Sequence, residues 1–114
     1  MKNPRKMLEL ASTIAHAKVD QRTFRFGGVA IRDDDVLVYA CNGRTHIPTP
    51  SAHCEARLVR KLDKGATVYI VRLSKDGQWA NSKPCPDCVR AMRRVQVKKV
   101  YYSTGVGAWD CLTP

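Results

Sequence analysis

Apolar residues recur at three- and four-residue steps from Met7 through Leu10, Ala11, Ile14 and Ala15, up to about Lys18, the spacing of one buried helix face. Asn3 followed by Pro4 starts that helix, because an amide caps it and a proline at the first position gives up no needed N–H. Asp20 to Arg25 is a polar, basic connector. Phe26–Ile31 and Val36–Cys41 are short runs of strand character around Asp33-Asp34-Asp35, which reads as a hairpin turn. Gly43, Pro48 and Pro50 keep Asn42–Ser51 a loop. A helix is expected over Ala52–Lys64, stopped by Gly65. Its apolar side is Ala56, Leu58, Val59 and Leu62, and its basic side is Arg57, Arg60, Lys61 and Lys64. Thr67–Leu73 alternates as a strand and Ser74–Gln78 is a turn. Pro84 and Pro86 bracket the start of a helix reaching Val95, and Val97–Ser103 is a further strand.

Strand, strand, helix, strand, helix, strand in that order implies an α/β layer sandwich. Its crossovers bring the helix starts near His53 and Cys85 to one end of the sheet, where such sheets bind ligands. The ten residues Gly105–Pro114 are too few for a helical crossover and a parallel strand. Gly105 and Gly107 instead permit a turn, with Ala108–Leu112 returning antiparallel and Trp109 packing on the sheet or covering the mouth of the site. With no repeat, low-complexity tract or linker, residues 1–114 are expected to form one domain.

Composition narrows the class. Of 114 residues, 44% are hydrophobic and 26% charged, which excludes wholesale disorder. No apolar run approaches the roughly 20 residues of a membrane helix. The charged start Met1–Lys6 has no apolar core behind it, since Glu9, Ser12, Thr13, His16 and Lys18 interrupt, so a cytoplasmic protein without a secretory signal is expected. Twenty basic against ten acidic residues give a net charge of +10, a field that favours nucleotides, nucleic acid or an acidic protein surface. Such a small core gains from a metal or a homo-oligomeric partner. The odd set Cys41, Cys54, Cys85, Cys88 and Cys111 fits a reducing compartment and metal-bound or unpaired thiols better than a disulfide framework.

Two fragments carry chemistry: His53-Cys54-Glu55 and Pro84-Cys85-Pro86-Asp87-Cys88. The second offers two sulfur ligands spaced for one metal, the first an imidazole at another helix start. Three protein ligands leave zinc a fourth position for water, the arrangement of a catalytic site. Glu55 can reach that water without ligating. A C-x-x-C pair can also be a redox dithiol or half of a zinc ribbon. The ribbon needs a second ligand pair that Cys41, Cys54 and Cys111 do not supply, and a redox pair explains neither His53 nor Glu55. Only two glutamates occur, Glu9 and Glu55, and one stands two residues beyond a candidate ligand.

Taken together, the H-x-E…P-C-x-x-C spacing resembles that of the zinc deaminases of nucleobases. Ser51-Ala52-His53-Cys54-Glu55-Ala56 and Ser82-Lys83-Pro84-Cys85-Pro86-Asp87-Cys88 resemble the two metal motifs of the cytidine and deoxycytidylate deaminase-like superfamily, and Cys41-Asn42-Gly43 resembles its substrate-binding strand end. The likeness covers about Phe26–Thr104. A histidine ligand is similar to the deoxycytidylate and tRNA-adenosine branch. The resemblance implies a three-layer sandwich with a central mixed sheet of four to five strands, helices on both faces and a shortened C-terminus.

It further implies Zn²⁺ held by His53, Cys85 and Cys88, with both helix N-termini favouring negative charge at the metal. Glu55 would serve as the proton carrier. Asn42 would bind the sugar or base edge, and backbone at Cys54 and just before Pro84 would touch the base. For the phosphate, the loop cations Arg22, Arg25, Arg44 and Lys83 are better placed than Arg57, Arg60, Lys61, Lys64, Arg90, Arg93 and Arg94, whose helices need solvated faces. Arg44, two residues from Asn42, leads.

The expected activity is hydrolytic conversion of cytosine to uracil in deoxycytidylate, cytidylate or a related nucleoside. One alternative is base editing of cytidine or tRNA adenosine in single-stranded DNA or RNA, for which Phe24, Trp79 and Trp109 are the aromatics placed for stacking. The rival from another class is a zinc-stabilised nucleic-acid-binding module without turnover, and Glu55 speaks against it.

Overall fold

The computed structural model describes residues 3–17, 25–41, 61–62, 64–74 and 76–114. Helix α1 (Pro4–Ala17) opens the fold and is followed by strands β1 (Arg25–Ile31), β2 (Leu37–Cys41), β3 (Thr67–Leu73) and β4 (Trp79–Ala80). Helix α2 (Pro86–Arg94) and strands β5 (Lys99–Gly105) and β6 (Ala108–Leu112) complete it. The sheet order is β2-β1-β3-β5-β6, with β4 paired to β3. β1 runs antiparallel to β2 and β3, β3 parallel to β5, and β5 antiparallel to β6. The expected α/β sandwich with a mixed central sheet and a helix on each face is thus present, with six strands among the described residues instead of four to five. No helix among the described residues is long and apolar enough to cross a membrane.

β3 is the axis because its side chains are buried on both faces, as a near-continuous apolar run requires. Val68 and Ile70 face one core with Ala30, Cys88, Met92, Val97 and Val100. Tyr69, Val71 and Leu73 face the other with Met7, Leu8, Ala11, Ala15 and Val29. One core therefore lies under α1, the other under α2. The α1 stripe is rotated from the sequence expectation: Leu8 is fully buried, whereas Leu10 is 37% exposed. Trp79 packs against the α1 core and its Nε1 donates to Ser12 Oγ at 3.2 Å, so it is not a free platform for base stacking.

Two of the expected boundaries are moved for identifiable reasons. Lys61, Leu62 and Lys64 are turn or irregular backbone, so the expected second helix does not reach Lys64; residues 52–60 lie outside the described residues. The strand expected from Val97 begins at Lys99, because Val97 belongs to the exit of α2. There Gln96 N–H donates to Arg93 O and Val97 N–H to Met92 O, both at 3.0 Å, and Gln96 holds φ at 60°. That is the paired-bond helix stop usually built on glycine. β6 matches its expected range and direction, and Gly107 in the preceding turn has φ at +67°.

Candidate metal centre

β2, β3 and β5 run in one direction, so the C-terminal ends of three strands gather at one end of the sheet. The α2 entry, Asn81–Cys85, leaves β4 at that same end. Proline at the first helical position and Asp87 in the first turn start α2, the acid matching the positive end of the helix dipole and Arg93 and Arg94 the negative end. Asp87 also pairs with Arg90 on the exposed face.

Cys85 is the N-cap residue, in extended backbone with no side-chain cap bond. It is half-buried and Cys88 is buried. Cys85 Sγ lies 3.3 Å from Cys88 Sγ, one thiol donating to the other. A disulfide would require about 2.05 Å. Two sulfurs on one tetrahedral zinc, each at about 2.3 Å, stand roughly 3.8 Å apart. The pair is therefore a dithiol that fits two ligand positions of a zinc site with an opening of about half an ångström. The first turn of α2 also leaves backbone N–H groups facing this end, which favours negative charge at the sulfur ligands.

Among the described residues no group of three or more His, Cys, Asp or Glu side chains is assembled around a metal position. The remaining assigned partners, His53, Cys54, Glu55, Asn42 and Arg44, lie outside the described residues. So do Phe24 and Arg22, and the side chains of Arg25 and Cys41. Lys83 is described and exposed, with its N–H on Asn81 Oδ1 at 3.1 Å. With Asn81, Pro84, Pro86, Val89, Arg90 and Arg93 it lines an open cleft of about 670 Å³. Its lining holds three cations, Lys83, Arg90 and Arg93, and no carboxylate, and although Arg90 pairs with Asp87 the balance makes this cleft positive.

Sequence reasoning missed Ser82 and Ser103. Ser82 N–H donates to Ser103 O at 2.8 Å. Both residues are buried, at 1% and 0% exposure, and their hydroxyls lie 2.8 Å apart. Ser82 Oγ reaches Ile70 O (3.0 Å) and Ser103 O (3.2 Å), while Ser103 Oγ reaches Ala80 O at 2.7 Å and accepts Arg72 N–H at 3.3 Å. Ser82 stands in a polar stretch, Asn81-Ser82-Lys83, that reads as loop, and Ser103 at the end of an expected strand, so nothing in the sequence marks either as core.

Comparison with known proteins agrees with this architecture. The family model described as "Cytidine and deoxycytidylate deaminase zinc-binding region" matches residues 1–104. Guanine deaminase of Bacillus subtilis (strain 168) is 30% identical over 78 residues, which is 68% of this chain and 49% of that protein. The chain thus spans about half the length of that relative. Among solved structures, the cytidine deaminase from Burkholderia pseudomallei superposes with a TM-score of 0.66 at 15% identity, over 99% of this chain and 93% of that one. The cytidine deaminase from Mycobacterium leprae gives 0.60 at 12%, over 97% and 94%. That from Mycobacterium tuberculosis gives 0.57 at 16%, over 93% and 90%. At such identities the likeness is one of fold.

Proposed function

Because the chain belongs to the cytidine and deoxycytidylate deaminase zinc-binding family, we propose that it is a zinc-dependent hydrolytic deaminase acting on cytosine in a nucleotide. The observation that carries this reading is the Cys85–Cys88 dithiol at 3.3 Å on the first turn of α2. Cys85, Cys88 and His53 would hold the metal. Zinc, when bound, lowers the pKa of a water towards neutrality and so supplies the nucleophile.

Glu55 accepts a proton from the attacking water, passes it to the ring nitrogen, and carries a second proton to the departing amine. One water is consumed and one ammonia leaves. Asn42 holds the sugar or base edge, and backbone at Cys54 and before Pro84 orients the ring. The base must stand outside any duplex, which restricts substrates to free nucleotides or single strands. The net charge of +10 and the cations beside the Cys motif support an anionic substrate. Arg44 and Lys83 are the proposed phosphate contacts. Trp79, one of three stacking candidates, is spent on α1, which weighs against a stacked strand.

A second reading, deamination of guanine, is supported by the name of the Bacillus subtilis relative. Mass-spectrometric product analysis on the zinc-loaded protein separates the readings. Deoxycytidylate, cytidylate, cytidine, guanine and single-stranded oligomers would be offered in parallel, and faster uracil formation in the free nucleotides is expected. Arg44→Ala should slow the nucleotide more than the nucleoside. Xanthine from guanine alone would establish the second reading. Turnover of oligomers alone would make this a base editor, and full zinc with no turnover of any substrate would leave a structural zinc module.

A further inference from the structure

From the hydroxyl network described above we infer that Ser82 and Ser103 are positioning residues for the metal ligand Cys85, an inference that rests on the zinc reading just proposed. Cys85 Sγ makes no cap bond to the helix backbone, and its hydrogen-bond partner is the other thiol, Cys88, so where its sulfur sits relative to Cys88 depends on how its backbone is held at each end. On the helix side, Val89 N–H donates to Cys85 O at 3.0 Å. On the other side the buried hold is Ser82, three residues earlier, beside a longer exposed bond from Arg72 Nη1 to Asn81 O at 3.4 Å. Its N–H, with its hydroxyl and that of Ser103, ties the α2 entry to Ile70 and Arg72 of β3, Ala80 of β4 and Ser103 of β5. Three strands converge on one buried serine pair, and that pair fixes where the Cys motif leaves the sheet.

The network is local to this task. Each hydroxyl has one proton and two acceptors within 2.7–3.2 Å, Ile70 O and Ser103 O for Ser82, Ala80 O and Ser82 Oγ for Ser103, so each serine donates to one of two partners at the strand junction. Without the hydroxyls, the entry segment samples backbone states in which Cys85 points away from Cys88. A metal then binds only the fraction of molecules with both sulfurs in place, and its apparent affinity falls by that fraction. Loss of a group that orients a ligand typically weakens metal binding by about 10–100-fold.

The test is Co²⁺ binding by the full chain, followed by sulfur-to-cobalt charge-transfer absorption and by competition with a chelator. Wild type, Ser82→Ala, Ser103→Ala and Val29→Ala would be compared. Val29 is fully buried in the α1 core, so its truncation lowers stability without touching the α2 entry. Both serine variants are expected to bind Co²⁺ about tenfold or more weakly, with reduced charge-transfer intensity per bound ion, while Val29→Ala keeps wild-type affinity. If Ser82→Ala does not fold, Ser103→Ala alone decides, since it keeps the backbone bond from Ser82. Wild-type affinity in the folded serine variants, or equal weakening in Val29→Ala, overturns the positioning role while leaving the zinc reading intact. A wild-type chain that binds no Co²⁺ overturns the zinc reading and this inference with it.

Discussion

Gly27 lies directly beneath Ala11: a β-carbon built on it would stand 2.0 Å from Ala11 O and 2.7 Å from Ala15 N. The atoms in the way are helix backbone, which cannot rotate aside as a side chain can. Gly27→Ala must therefore lift α1 from β1 and open the core around Leu8 and Val29. Overpacking costs about 1–3 kcal/mol and occasionally more, and a loss of about 3 kcal/mol or more is expected in urea unfolding. A loss below about 1 kcal/mol would mean that α1 is not seated on the sheet as described.

Gln96 holds a left-handed conformation with φ at 60° at the stop of α2. A side chain there costs roughly 1–2 kcal/mol, which glycine avoids while losing part of the gain to its freer unfolded chain. Gln96→Gly should raise stability by about 0.5–1 kcal/mol. A fall in the urea midpoint would contradict the assigned helix exit.

Cys85→Ser and Cys88→Ser should each lower zinc content below the one equivalent expected of the wild-type chain, and a chelator should reduce wild-type solubility or folding. Full zinc in either variant, measured by metal analysis after dialysis, would remove that residue from the ligand set.

Glu55→Ala separates chemistry from metal binding. Zinc content and fold should be unchanged, while turnover drops by about 10²–10⁴-fold, the usual worth of a positioned acid–base group. Normal turnover in a zinc-replete Glu55→Ala protein would sink the proposed proton route.

Tyr69, stacked on Tyr101 with ring centroids 5.3 Å apart and planes 8° from parallel, holds its proton above the ordinary value of 10.0, through burial first and Tyr101 second. Tyr102 does the same through burial, then Asp110 and Cys111. Above about pH 10 the unfolded chain loses these protons before the folded one does, so stability is whole below that pH and declines as pH rises towards the folded values. Tyr69→Phe and Tyr102→Phe should each flatten the decline in urea titrations at stepped alkaline pH. An unchanged slope would assign the alkaline loss to other groups.

The elements most legible in the sequence were those with one dominant local cause. β3 carries an apolar run from Val68 to Val71, α2 is framed by Pro86 and a basic last turn, and β6 follows from the turn at Gly107. β4 was invisible because two residues, Trp79 and Ala80, carry no period. The Leu8–Leu10 exchange arose because both fit a helical stripe, and the rotation of α1 is set by its tertiary seat, with Gly27 under Ala11 and Trp79 on Ser12. The candidate centre was legible as two motifs, of which the C-x-x-C at the start of α2 lies among the described residues and His53-Cys54-Glu55 does not. The Ser82–Ser103 pair was not legible, since its role exists only once β3, β4 and β5 have met.

The parallel pairing of β3 with β5 also bears on the order of events during folding. β5 and β6 are joined by a tight turn and can pair locally on a microsecond scale. β3 reaches β5 only after residues 74–98, which contain both α2 and the two cysteines, have folded back over the sheet. Non-local closures of this kind are the slow ones. The surroundings of the dithiol, the sheet end and the buried serine pair, are thus completed by the late step. A nascent chain exposes two cysteines whose spacing in sequence already permits chelation but whose surroundings do not, and timely metal capture becomes a matter of rate as well as affinity.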